Sequence, residues 1–199
     1  MGVKRSVSKG VVIACIIIVI LVACIVGGTF YIYYGSPKEV YQESLTGGNI
    51  SLTYSDEENL FAIENAIPTS DIVGKAYDSA DLFFDFTVKV DIEDANYIEY
   101  DVLLVKDETL STAINNNIKV YLEKEKNGSY VKVAGPELFT SNLDDEQIGN
   151  SVMSIYKEKH TESGNDNYRL RMWLSDSAKI NAGEIQNYAV KVALKGKAK

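Results

Sequence analysis

"LFFDFTVKVDI", residues 82–92, decides how the chain is read. Phe84, Phe86, Val88, Val90 and Ile92 fall on one side of an extended backbone, and Asp85, Thr87, Lys89 and Asp91 on the other. Period-two alternation of this kind is the mark of an antiparallel strand with one buried and one wet face. The same rhythm recurs on both sides of it. "NISLTYS" alternates Ile50, Leu52 and Tyr54 with polar neighbours, and "YIEYDVLLV" turns Ile98, Tyr100, Val102 and Leu104 inward. "NIKVYLEKEKNGSYVKV" reads as a hairpin, because Asn127-Gly128 suits the positive φ angles of a type I′ turn. "SVMSIYKEKH" and "YRLRMWLS" read as a second hairpin across "TESGNDN", and "NYAVKVALK" as a last strand with Tyr188, Val190, Val192 and Leu194 inside.

Eight or nine short strands at this spacing predict an all-β fold, a single antiparallel β-sandwich over residues 49–199. Helical periodicity is scarce, with "ETLSTAINNN" and "SDSAKINAGE" expected to hold short turns at most. The three prolines, Pro37, Pro68 and Pro136, are expected between strands. Residues 36–48 read as a stalk or first strand.

Ahead of the strands, residues 10–35 carry no charge, and Lys4, Arg5 and Lys9 precede them. About 20 apolar residues as a helix cross a bilayer core. The basic flank puts residues 1–9 in the cytoplasm and the rest outside, with the tyrosines of "FYIYYG" as an interfacial belt. The expectation is one N-terminal transmembrane helix or signal helix, with the domain extracellular, or secreted after cleavage. "LVAC" matches the bacterial lipobox and makes Cys24 a lipidation candidate; "VIAC", ending at Cys15, is a looser copy. "MGVKRS" fits the myristoylation pattern, and Ala23 and Gly27 form a small-xxx-small pair. Residues after the span hold no cysteine, so neither a disulfide framework nor a thiolate metal site is available there.

Net charge is −8, and the basic start accounts for three positive charges, so the remainder carries −11. That balance disfavours nucleic acid as a partner. His160 is the single histidine, which removes histidine-pair metal sites, and its place at a charged strand end reads as an exposed polar residue. No nucleophile elbow, P-loop or dinucleotide fingerprint is present, so no enzyme activity and no cofactor are expected. Three acidic clusters, Asp56–Glu58, Asp91–Asp94 and Asp144–Glu146, offer oxygen ligands without the spacing of a calcium loop. Asn49 and Asn127 head glycosylation sequons. Trp173, the only tryptophan, shares a strand face with Arg169 and Arg171 and is a candidate surface contact or, equally in a two-sheet fold, a residue packed under a loop.

The order "GGTFYIYY", "LFFDFTVKV", "ANYIEYDVLL" and "NYRLRMWLSDSA" resembles the TasA/camelysin-like family of bacterial surface and biofilm-matrix proteins. The resemblance implies a jelly-roll or Ig-like sandwich, self-association or contact with related surface proteins, and assembly by lending an N-terminal strand to a neighbour. The lent piece would fall within about residues 30–48. Family precursors carry an alanine-ended cleavage site after the glycine pair, where this chain has Gly27-Gly28-Thr29-Phe30-Tyr31. The expected role is a structural or adhesive cell-surface protein. Two other roles fit the residues: a module binding glycan, peptide or calcium, and a pilin-like subunit cut behind Gly10.

Overall fold

The computed structural model describes residues 39–54, 60–79, 82–145, 149–181 and 183–199. The basic start, the apolar stretch 10–35 with Cys15 and Cys24, and the acidic cluster at 56–58 lie outside the described residues. Among the described residues no helix is long and apolar enough to cross a membrane.

Among the described residues eleven strands make two antiparallel sheets. The first sheet runs β1 (Glu39–Leu45), β2 (Gly48–Tyr54), β4 (Phe84–Ile92), β10 (Gly164–Leu174), β6 (Ile118–Lys126), β7 (Ser129–Leu138). The second runs β3 (Leu60–Ile63), β11 (Tyr188–Ala198), β5 (Ile98–Lys106), β9 (Gly149–His160), β8 (Leu143–Asp145). One continuous core lies between them. Ile50, Leu52, Phe86, Val88, Val90, Leu122 and Leu170 supply it from the first sheet, and Ile98, Val102, Leu104, Val190 and Leu194 from the second. The inward residues expected of "LFFDFTVKVDI" are buried, apart from Ile92 at the strand end, which is half-buried. Each large apolar side chain so buried is worth roughly 1.5–3 kcal/mol. Aromatic contacts join the layers: Phe61 stacks on Phe84 at 5.9 Å, and the Tyr54 hydroxyl donates to the Val192 carbonyl at 2.7 Å.

Two local expectations are corrected, and three short elements go beyond them. β9 and β10 are not a hairpin: β9 pairs with β5 and β8, β10 with β4 and β6, so the chain changes sheets at 161–163. Both strands carry an apolar face, and in opposite sheets Met153 and Ile155 of β9 and Leu170 and Met172 of β10 all enter the one core. Pro136 lies within β7 rather than between strands. β7 is an edge strand and its register slips there, so a missing N–H is tolerated. A five-residue helix, α1 (Asp71–Lys75), and the short strands β3 and β8 carry too few residues for a periodic signal. The short turns expected outside the strands are present: in "SDSAKINAGE" the Ala178 amide donates to the Ser175 carbonyl at 3.0 Å, and "ETLSTAINNN" contains a 3-10 turn at Asn115–Asn117. The Asn127-Gly128 hairpin is present, with φ of 54° and 77°.

Candidate functional site

Three places gather chemistry: the N-terminal sheet edge, a cleft beside Trp173, and a polar cluster between the sheets. β1 is the first described strand and an edge of the first sheet, with β2 as its one strand partner among the described residues. A two-residue turn, Thr46-Gly47, joins them. Gly47 has φ 91°, and its carbonyl accepts the amides of Glu93, Asp94 and Ala95 at 3.0, 3.1 and 3.2 Å. A Cβ there would stand 2.8 Å from the Ala95 nitrogen, so the turn is seated directly on the loop after β4 and only glycine fits it.

Trp173 does not offer a surface contact. The outer face of β10 is roofed: residue 69 bonds through its amide to the Leu174 carbonyl at 2.9 Å, and α1 follows directly. Gly74 of α1 lies against the indole so closely that a Cβ would sit 2.2 Å from Trp173 Cδ2. The ring is thereby 2 % exposed. Its Nε1 finds no hydrogen-bond partner among the described residues, and an unsatisfied buried donor costs about 1–3 kcal/mol. Trp173 lines a 430 Å³ cleft with Ile63, Ala66, Tyr77, Leu82 and Met172. Ile67 lines the same cleft and is 73 % exposed. The arginines expected beside Trp173 are engaged: Arg169 pairs with both Asp85 oxygens at 2.7 Å and stacks on Phe83, while Arg171 bonds Glu123 and the Tyr77 carbonyl.

His160 is not an exposed polar residue either. Its Nε2 meets Asp166 Oδ2 at 2.7 Å, and its side chain is 16 % exposed. Asp166 Oδ2 also accepts the Tyr100 hydroxyl at 2.5 Å, and Tyr100 and Tyr168 hydroxyls are 2.6 Å apart. Lys124 Nζ lies 2.8 Å from Asp166 Oδ1 and 2.6 Å from Glu158 Oε2, and the Tyr156 hydroxyl donates to that same Glu158 oxygen at 2.9 Å. Four strands of two sheets converge here: β6 and β10 of the first, β5 and β9 of the second.

Burial works to raise the Asp166 carboxyl, but the hydrogen bonds from Lys124, Tyr100 and His160 prevail and hold it below its usual value. Glu158 behaves alike: burial opposes, while Lys124 and Tyr156 pull it down. Burial disfavours the Lys124 ammonium, and the two carboxylates outweigh it and raise the amine. Burial drives the Tyr100 and Tyr168 hydroxyls far up, and takes Tyr156 to about 12.

Sequence reading overlooked this cluster, although a signal existed. Lys124 keeps the inward parity of Val120 and Leu122, and Asp166 that of Tyr168 and Leu170, so each is a charge at a core position. The acidic clusters do not form a comparable centre: Asp91 pairs with Lys89 at 2.6 Å, and no group of three potential metal ligands converges among the described residues. Glu146 lies outside the described residues, as does the Cys24 lipidation candidate. No family model, no curated protein and no solved structure matches the chain.

Proposed function

We propose that the chain is a structural or adhesive cell-surface protein, held by residues 10–35 or released after cleavage, that joins to copies of itself by strand exchange. The fold type that suits this role is the jelly-roll or Ig-like sandwich of the TasA/camelysin-like family. The observation that carries the reading is the position of β1. It is the first described strand after the apolar stretch, and among the described residues it sits at a sheet edge with one strand partner. Leaving its own β2 and occupying the β2 of a neighbour would keep every backbone hydrogen bond while linking two chains.

The test takes protein from native membranes and culture medium, measures the mass of its mature N-terminus, and follows its sedimentation. A start at Met1 or Gly2 in the membrane fraction makes residues 10–35 an anchor. A start near Phe30 with polymeric sedimentation, capped by excess synthetic peptide 36–46, supports released subunits exchanging β1. Material that is monomeric in both fractions overturns the exchange.

A second reading, a ligand-binding module, is favoured by the Trp173 cleft with its unpartnered donor. Because Trp173 is the sole tryptophan, a ligand seated there changes its fluorescence, and titration with peptides and oligosaccharides discriminates the two roles.

A further inference from the structure

The polar cluster holds the reactants of a condensation. An amine, Lys124 Nζ, touches a carboxylate, Asp166 Oδ1, at 2.8 Å, and a second carboxylate, Glu158, touches the same amine at 2.6 Å. The three side chains are 13, 7 and 22 % exposed. The remaining Asp166 oxygen faces two potential donors, the Tyr100 hydroxyl at 2.5 Å and His160 Nε2 at 2.7 Å. Tyrosine rings complete the wall, with Tyr168 5.8 Å from Nζ and Tyr156 packed edge-on to Tyr168. Other lysine–carboxylate pairs are wetter, as in Lys157–Asp101 and Lys191–Asp107, where the lysines are 74 and 47 % exposed.

We propose that Lys124 and Asp166 condense into an intramolecular amide that ties β6 to β10, with Glu158 carrying the protons. The ion pair is the starting state. Glu158 passes one proton from the ammonium to Oδ1, giving a neutral amine and a neutral acid, the forms that burial favours. The Nζ lone pair attacks Cγ, and the charge that develops on Oδ2 is met by the Tyr100 and His160 donors. Glu158 then takes a second proton from nitrogen and delivers it to the Oδ1 hydroxyl. The Cγ–Oδ1 bond breaks, water leaves, and Glu158 ends as it began. One ammonium and one carboxylate become one amide and one water, with no oxidant, reductant or cofactor. Contact between the partners supplies the proximity that such a reaction lacks in solution, and the step removes two buried charges. The link concerns the interior of the domain and holds whether the chain is anchored or released.

Peptide mapping of the full-length folded protein tests it. Trypsin acting on a linked chain cannot cut after Lys124. The expected product is residues 120–126 joined to residues 160–169, lighter by one water than the two peptides together. Free peptides 120–124 and 160–169 from the folded protein overturn the proposal. Glu158→Gln should leave the Trp173 emission of the folded chain in place and lose the joined peptide. A joined peptide formed as fast in Glu158→Gln as in the parent overturns the role given to Glu158.

Discussion

At Gly74 a single missing methyl lets a helix lie flat on an indole. Gly74→Ala drives a Cβ into the Trp173 ring, so α1 must lift or the ring must turn. Overpacking of this kind costs about 1–3 kcal/mol. The expected outcome is a red-shifted tryptophan emission with a lowered unfolding midpoint, both read in one denaturant titration. A side chain at this scale is legible from sequence only through parity along a strand. Parity placed Phe86 and Val190 inside correctly, and it placed Trp173 outside with Arg169 and Arg171, which is also where the sheet has it. What parity could not supply is the roof, because residues 69–75 reach β10 from far along the chain and carry no period of their own.

Among the elements, β6 and β7 are joined by the turn that local chemistry dictates, whereas β9 and β10 part company at a turn that looks just as inviting. The difference lies in partners distant in sequence: β5 claims β9, and β4 and β6 claim β10. A strand's existence is written locally, but its neighbour is chosen by which faces need covering. For the Asn127-Gly128 turn, Gly128→Val places a β-branched residue at φ 77° and should lower stability by about 1–2 kcal/mol, measurable by thermal unfolding. No neighbour lies within 4 Å of the Cβ site, so the effect is conformational rather than steric crowding. The polar cluster follows the same logic. Lys124 and Asp166 were each visible as charges at inward positions, but their meeting with Glu158 depends on β9 lying in the opposite sheet.

For the molecule as a whole, buried tyrosines set the alkaline limit. Burial pushes Tyr100, Tyr168 and Tyr188 upward and takes Tyr54 to about 12, against an ordinary value of about 10. A raised folded value means that the contribution is complete below pH ~10 and is lost as the pH climbs beyond it, because the unfolded chain releases its phenolic protons first. Unfolding midpoints should therefore hold steady from pH 7 to about 9.5 and fall beyond it. Phenolate absorbance should rise together with unfolding rather than before it. An amide between Lys124 and Asp166 would leave this limb intact, since it removes none of these four tyrosines. It would also shorten the loops open to the unfolded chain, worth about 4 kcal/mol by the loop-entropy argument used for other cross-links. Lys124→Arg, which cannot condense, should lose stability on about that scale or more in chemical denaturation.

The same topology fixes how the domain yields to tension. Glu39 is paired with Thr53 at the open mouth of the β1–β2 hairpin, and the turn lies at the far end. A pull entering from the N-terminal side, where residues 10–35 precede the strand, therefore meets the hydrogen bonds one rung at a time, as a zip does. β11, at the other end of the chain, is clasped between β3 and β5 and has no such loose edge. Stretched from its N-terminus, the domain would pay out β1 at low force as a slack length. With Lys124 and Asp166 joined, the chain between them would be closed to extension, so later lengthening would stop short of the full contour.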